Sequence, residues 1–442
     1  MWRVALSLGS VFVPMADVAP HLPPVEIIGQ DELGLAGFRI HRDELLATGP
    51  RSFVVIGRLV GDDESEVVLS AQEGALVGTL RTSAEQYRLR GGLARRVQPA
   101  ADVPERMPLV PQVGPAAPSA LNDTGDVLDL LVVYTPRARL SAGGGRSMEA
   151  LVQLGVAETN LALRESGVPT RVRLVEMQEV SYEEAGRVES DLEILAHTGD
   201  GALDEVHALR DSRGADFVQL VVEESDGCGI AYLMREDNPG FSAWAFSVVE
   251  WSCIDSTYAL AHELGHNLGC DHAPEDPSTF GGPFEYSFGY RDPSSRYRTI
   301  MAYGPGRRFA RFSSPRVTLG GRRLGTARQD NARTIARLRT TLANFRPRVA
   351  SPEIFPGADV PISNGKAMFR FQSGYPVAEW WLLAGSGPGK RDFFDSGSLG
   401  TRAEAKVSGL PVDGSPVYVR LFYRRGRVWL YEDHRYTTEH SP

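Results

Sequence analysis

His262-Glu263-Leu264-Gly265-His266-Asn267-Leu268-Gly269-Cys270-Asp271-His272 is the stretch from which this chain is read. It has the form H-E-x-x-H-x-x-G-x-x-H without a mismatch. Two histidines four apart share one face of a helix, so His262 and His266 can grip one metal ion. Glu263 stands beside them as a candidate base. Gly269 accepts positive φ at little cost, so the helix can end there and the chain can turn. The turn returns His272 as a third ligand. Three neutral imidazoles leave the fourth tetrahedral position of Zn²⁺ open, which is the layout of a catalytic rather than a structural site.

The surroundings strengthen the motif. Tyr258-Ala-Leu-Ala261 gives the helix an apolar face, so the histidines project from a buried element. Thr299-Ile-Met-Ala-Tyr303 follows, and its Met301 matches the methionine turn that accompanies the long motif. The rest of the sequence excludes other chemistry. Gly143-Gly-Gly-Arg-Ser147 lacks the lysine of a phosphate loop. No Cys-x-x-Cys pair exists among the three cysteines, Cys228, Cys253 and Cys270. Cys228 and Cys253 flank a short apolar segment able to fold back as a hairpin, and they are expected to form a disulfide. No acidic loop has a clear calcium pattern, so calcium stays open.

With 442 residues the chain has room for two or three domains, and 42% hydrophobic with 23% charged residues is a globular composition. A formal net charge of −9 argues against nucleic acid as a partner. No segment is long and apolar enough to span a membrane. Residues 1–20 carry a weak secretory pattern, Met1-Trp-Arg3 followed by an apolar run. A buried first strand is the alternative for that run.

Residues 21–122 alternate like strands at Phe53–Val60, Glu66–Ser70, Ala75–Arg81 and Gln86–Arg90, then pass into a Pro- and Ala-rich linker. From 123 to 347 strands and helices alternate. Val127–Tyr134 is a continuous apolar run expected in a sheet centre. Helices are expected over Ser147–Ser166, Glu189–Arg213 (interrupted at Gly199–Gly201) and Ala327–Phe345. The metal helix is expected over Ser256–Leu268, capped by Asp255 or Ser256. Residues 348–360 read as a second linker. Residues 361–442 hold short strands with turn signals, a β-sandwich pattern. Trp380, Trp381, Tyr418, Phe422, Trp429 and Tyr431 there form either its core or a platform for a carbohydrate or surface target.

Over about Asp126–Arg346 the chain resembles the metzincin metallopeptidases, in particular the reprolysin-like bacterial group that includes peptidyl-Asp metalloendopeptidases. Besides the two motifs, Val132-Val-Tyr-Thr-Pro136, Gly227-Cys-Gly-Ile-Ala-Tyr-Leu233, Ala245–Val249 and Asp330-Asn-Ala-Arg-Thr334 carry the likeness. The resemblance implies an α/β catalytic domain with a twisted mixed sheet, a β-rich propeptide before it and an immunoglobulin-like sandwich after it. It implies a secreted bacterial zymogen, a monomer, that hydrolyses protein and peptide substrates with one zinc ion. His262, His266 and His272 would hold the zinc, Glu263 would act as base, and Met301 would form an apolar floor. Tyr303 would be a further ligand or an oxyanion donor, or else a tyrosine packed under the cleft. Gly229, Ile230, Ala231 and Tyr232 would offer a sheet edge to substrate. Arg307, Arg308 or Arg311 would meet an acidic side chain after the cut. A non-catalytic adhesion protein on the same scaffold is the rival reading. Ala273 departs from the group, which often has Asp after the third histidine. Cys270 lacks the usual cysteine partner past the methionine turn.

Overall fold

Val127–Tyr134 is buried at all eight positions, as a sequence apolar along its whole length requires. It lies second in a five-stranded sheet whose order is Arg171–Glu179, Val127–Tyr134, Phe217–Val222, Phe246–Glu250, Gly229–Ala231. The first four strands run parallel and the last is antiparallel. The one charged residue in the central strand, Asp129, is held by Arg173 of the neighbouring strand at 2.8 Å.

In this computed structural model the described residues are 3–7 and 26–30, 40–82, 85–91, 93–97, 108 and 123–439. Most of the candidate signal segment and of the first linker lies outside them. Arg3–Ser7 pairs antiparallel with Glu26–Gln30. No described helix is long and apolar enough to cross a membrane.

Helices α1 (Pro136–Ser141) and α2 (Gly145–Glu165) follow the central strand. Next come α3 (Val188–Ala196) and α4 (Asp204–Arg213), separated at the glycines where the sequence predicts a break. The predicted metal helix starts later than expected, and Ser256 and Thr257 belong to a separate short helix before it. α5 (Trp251–Thr257) is capped by the Glu250 carboxylate, which accepts from Ser252 N at 3.0 Å. α6 (Ala259–Asn267) starts only after Tyr258, which has φ 60°. Neither Asp255 nor Ser256 is therefore the cap: both lie inside α5, and the backbone breaks at Tyr258. α7 (Asn331–Leu342) starts later than its period suggests, because the Asp330 side chain accepts from Arg333 N and sets the first turn there.

Residues 40–97 form a six-stranded antiparallel meander. Strands Ile40–Gly49 and Leu93–Val97 extend the four read from the sequence. Alternation gives the sheet two apolar faces. Val54, Ile56, Val68 and Val77 join the core around α2, while Val55, Val67, Leu69 and Leu80 form a core of their own. Helix α2 is thus covered by the central sheet on one side and the N-terminal sheet on the other.

At the other end, a three-stranded sheet (Glu353–Phe355, Lys366–Gln372, Glu404–Ser408) and a four-stranded sheet (Phe394–Asp395, Glu379–Gly385, Val417–Arg425, Val428–Tyr436) share one core. Phe371 meets Trp380 across them at 5.2 Å. Glu353–Phe355 lies within the segment read as linker. Three of the outward aromatics are covered too: Trp381, Phe422 and Trp429 cluster against Ala47 of the N-terminal sheet, and the Arg51 guanidinium lies 5.0 Å from the Trp381 ring, whereas Tyr431 stays exposed.

Candidate metal centre

Helix α6 carries His262, Glu263 and His266 on residues that are all buried. Gly269 ends it with φ 85°, and the reversal puts Cys270 O against the His266 ring, whose Nδ1 lies 2.9 Å away. The other two rings are held in the same way. His262 Nδ1 bonds Ile300 O at 2.9 Å, and His272 Nδ1 bonds Ser278 O at 3.0 Å. A carbonyl can only accept, so each Nδ1 carries the proton and each Nε2 keeps its lone pair. The Nε2 atoms of His262 and His272 approach to 3.1 Å. Acceptors gathered like this repel one another in a buried site, and a cation among them removes the conflict. The three rings offer one ligand atom each, all within 4.8 Å of one another, and are the only such group among the described residues. The donor set fits zinc.

Below the rings lies Met301, whose sulfur would stand 2.5 Å from a Cβ on Gly265; only glycine in α6 allows this approach. Gly229 makes a second close approach. A Cβ there would fall 2.6 Å from Glu263 Oε1, so the edge strand rests directly against the candidate base. Tyr303 stacks on the site, its ring centroid 4.5 Å from that of His272. The disulfide Cys228–Cys253 ties the start of the edge strand to α5.

Asp276 was not foreseen from the sequence. Its Oδ2 accepts from Tyr303 N at 2.9 Å and Ala273 N at 3.2 Å, and its Oδ1 pairs with Arg291 at 2.9 Å. Arg291 also donates to Tyr303 O and Gly304 O, at 3.1 and 2.6 Å. One carboxylate thus joins the backbone just after the third histidine to the backbone of Tyr303. Asp271, inside the motif, accepts from His272 N and Phe280 N at 2.7 and 2.8 Å and shapes the loop between. Cys270 is buried without a disulfide, and burial pushes its thiol well above the usual range, so it is inert.

Comparisons with known proteins place the chain in a family. Residues 124–313 match Reprolysin_5, the metallo-peptidase family M12. A peptidyl-Asp metalloendopeptidase of Xanthomonas campestris is 33% identical over 323 residues, 67% of this chain and 74% of the relative. One from Stenotrophomonas maltophilia is 32% identical over 306 residues, 64% of this chain and 72% of the relative. The chain belongs to the M12 metallopeptidases. It is a zinc metalloendopeptidase of the reprolysin-like bacterial group, which sets aside the non-catalytic reading.

In this metallopeptidase the remaining expected site residues lie as follows. Gly229–Ala231 is the last strand of the central sheet, and its residues are buried. Tyr232 is buried against Trp244 at 5.1 Å, and burial pushes its phenol up to about 12. Arg307 donates to Glu64 O and Arg81 O of the N-terminal sheet, at 3.2 and 3.1 Å. Arg308 donates to Thr257 O and Ala302 O, at 2.8 and 3.2 Å. Arg311 pairs with Glu66 and Glu165, each at 3.1 Å. Arg298 joins them, donating to Ala302 O and Gly306 O at 2.9 and 2.8 Å. Guanidiniums on backbone carbonyls leave no trace in sequence spacing, so nothing in the sequence pointed to Arg291 or Arg298.

Proposed function

We propose that this is a secreted bacterial endopeptidase, made as a precursor, whose zinc is held by His262, His266 and His272. The observation that carries the reading is the set of three Nδ1–carbonyl bonds, which turns three Nε2 lone pairs onto one point. Bound there, zinc supplies a Lewis acid that brings the pKa of water to about 7. Glu263 takes the proton of the attacking water and returns it to the leaving amine. The Tyr303 phenol, stacked beside His272, donates to the oxyanion as the carbonyl is attacked. Met301 keeps the floor apolar, and the strand Gly229–Ala231 takes the peptide by strand addition, with Tyr232 closing its end.

The precursor reading is supported by burial. In the full chain His262, His272 and Tyr303 are 3%, 0% and 7% exposed, and Ile230 is 1% exposed. A peptide does not reach a centre so closed until something moves or is cut. In this reading 1–20 is the signal segment, 21–122 the propeptide and linker, 123–347 the catalytic domain, 348–360 the second linker and 361–442 an immunoglobulin-like appendage.

A preference for Asp after the cut is supported by the names of the relatives and by the guanidiniums of Arg298 and Arg308, which hold Ala302 O, whereas Arg307 faces the N-terminal sheet and Arg291 is paired with Asp276. Arg298 and Arg308 donate to backbone carbonyls in the full chain, so their first effect on an acidic side chain is through their field. The decisive experiment is casein hydrolysis by the processed protein. Activity should vanish with chelator, return with zinc and fall by about 10²–10⁴-fold in Glu263→Gln. Undiminished hydrolysis by Glu263→Gln rejects the mechanism. A peptide-library profile without acidic residues after the cut rejects the preference alone.

A further inference from the structure

The N-terminal sheet does more than lie on the catalytic unit: it grips the junction between α5 and α6. Strand Gln86–Arg90 closes the end of α5. Arg88 and Arg90 pair with the fully buried Asp255, each at 2.7 Å. Arg88 also donates to Ser252 O at 2.6 Å, and Gln86 to Ser256 O at 2.7 Å. Gln86 thus satisfies one of the last carbonyls of α5, and Arg88 reaches a carbonyl of its first turn. The next residue but one after Ser256 is Tyr258, in the left-handed region, from which the metal helix starts.

Tyr258 is itself held from the N-terminal sheet. Its hydroxyl donates to Glu66 at 2.6 Å, and the Arg81 guanidinium lies 3.7 Å over its ring. Burial keeps the phenol protonated, well above its usual range. Arg81 in turn pairs with Glu158 of α2 at 2.6 Å, with side-chain exposures of 3% and 0%. The same Glu66 accepts from Ala310 N at 3.3 Å and pairs with Arg311, just past the methionine turn. One carboxylate therefore braces both the residue that opens the metal helix and the segment that follows Met301.

We infer that Glu66 and Arg81 of the N-terminal sheet are positioning residues for the metal centre, so that the zinc affinity of the three histidines depends on the contacts these two side chains make with Tyr258. The N-terminal region is thereby a brace on the precursor's metal site. This rests on the reading that His262, His266 and His272 hold zinc.

The test uses the full chain. Zinc affinity is measured by competition with a chelator of known affinity, together with the rise in Tm on adding zinc. Tyr258→Phe removes one hydroxyl, and Glu66→Gln removes one charge while keeping an acceptor. Both should weaken zinc about tenfold, the lower end of what partners beyond the ligands contribute, and shrink the zinc-linked rise in Tm. Val54→Ala loosens the same interface without touching Tyr258, so it should lower Tm and leave zinc affinity alone. Zinc affinity within about twofold of wild type in Tyr258→Phe and Glu66→Gln, on the same measurement, overturns the inference, as does an equal loss in Val54→Ala. Absence of zinc binding by the wild-type chain is a separate result that rejects the zinc reading itself.

Discussion

Asp276 illustrates what a single side chain does at this site. It joins the third-histidine loop to the methionine turn through two backbone N–H groups and Arg291, on a side chain that is 2% exposed. Removing one partner of a buried ion pair leaves the other charge uncompensated, typically at about 3–5 kcal/mol. Arg291 retains 16% exposure, two carbonyl acceptors and the carboxylate of Glu275 at 3.5 Å, so the lower end applies at most. Asp276→Ala should therefore lose at most about 3 kcal/mol in urea unfolding and lower kcat by displacing Tyr303. Asp276→Asn, which can still accept one N–H, should lose less; equal losses would show that the charge is irrelevant. Gly229→Ala tests the other contact. Its Cβ would stand 2.6 Å from Glu263 Oε1. A base displaced by about 1 Å costs about 10²-fold, so kcat should fall to that extent while zinc content stays unchanged. A Gly229→Ala enzyme of normal kcat would mean that Glu263 is not held where it works. The three histidines, Glu263 and Met301 were legible because helix period and motif spacing fix them. Asp276, Arg291 and Arg298 were not, because a loop brings them in and no period governs a loop.

At the scale of elements, the disulfide is the informative case. Cys228 precedes the edge strand and Cys253 lies in α5, with a sequence separation of 25. The fold-back that the sequence suggested is present as the antiparallel pair Gly229–Ala231 with Phe246–Glu250. A closed loop of this size is worth about 3 kcal/mol on the chain-entropy account. The double variant Cys228→Ser, Cys253→Ser should lose about that much stability. In the processed enzyme its KM should rise more than its kcat falls, because the strand proposed to take substrate loosens while α6 remains packed. A fall in kcat alone would place the disulfide's role in the metal helix instead. The metal helix also shows where reading by elements stops. The sequence reads as one helix over Ser256–Leu268, yet the structure breaks at Tyr258. Tyr258 at the break touches Glu66 and Arg81, far away in sequence, and no local pattern reveals such contacts. The helices either side of Gly199–Gly201, by contrast, were legible because glycine marks a break locally.

At the scale of the molecule, the question is whether the N-terminal unit leaves when the linker is cut. Its sheet contributes Val54, Ile56, Val68 and Val77 to the core that contains α2. Its charges are matched at depth: Arg81 with Glu158, and Arg88 and Arg90 with Asp255. Its first hairpin also packs on Trp381, Phe422 and Trp429 of the last domain. Separation would expose apolar surface on three bodies and leave Glu158 and Asp255 without their partners. Pairs so deeply buried are little affected by salt, even at about 1 M where the screening length is about 3 Å. Insertion of a foreign protease site in the linker at 98–122, followed by cutting, should thus leave the two fragments co-eluting on gel filtration at low and high salt. Arg81→Met removes the cation from Glu158 and should weaken the association by about 3–5 kcal/mol, enough for the fragments to separate on dilution. Val54→Ala removes apolar contact only, and its effect should not depend on pH between neutral and mildly acidic values. In Arg81→Met, acidification that protonates the stranded Glu158, whose carboxyl burial already pushes up, should restore part of the association. Release of the N-terminal fragment from the wild-type chain immediately after cutting would show that the three units are held by the linker and not by the interface.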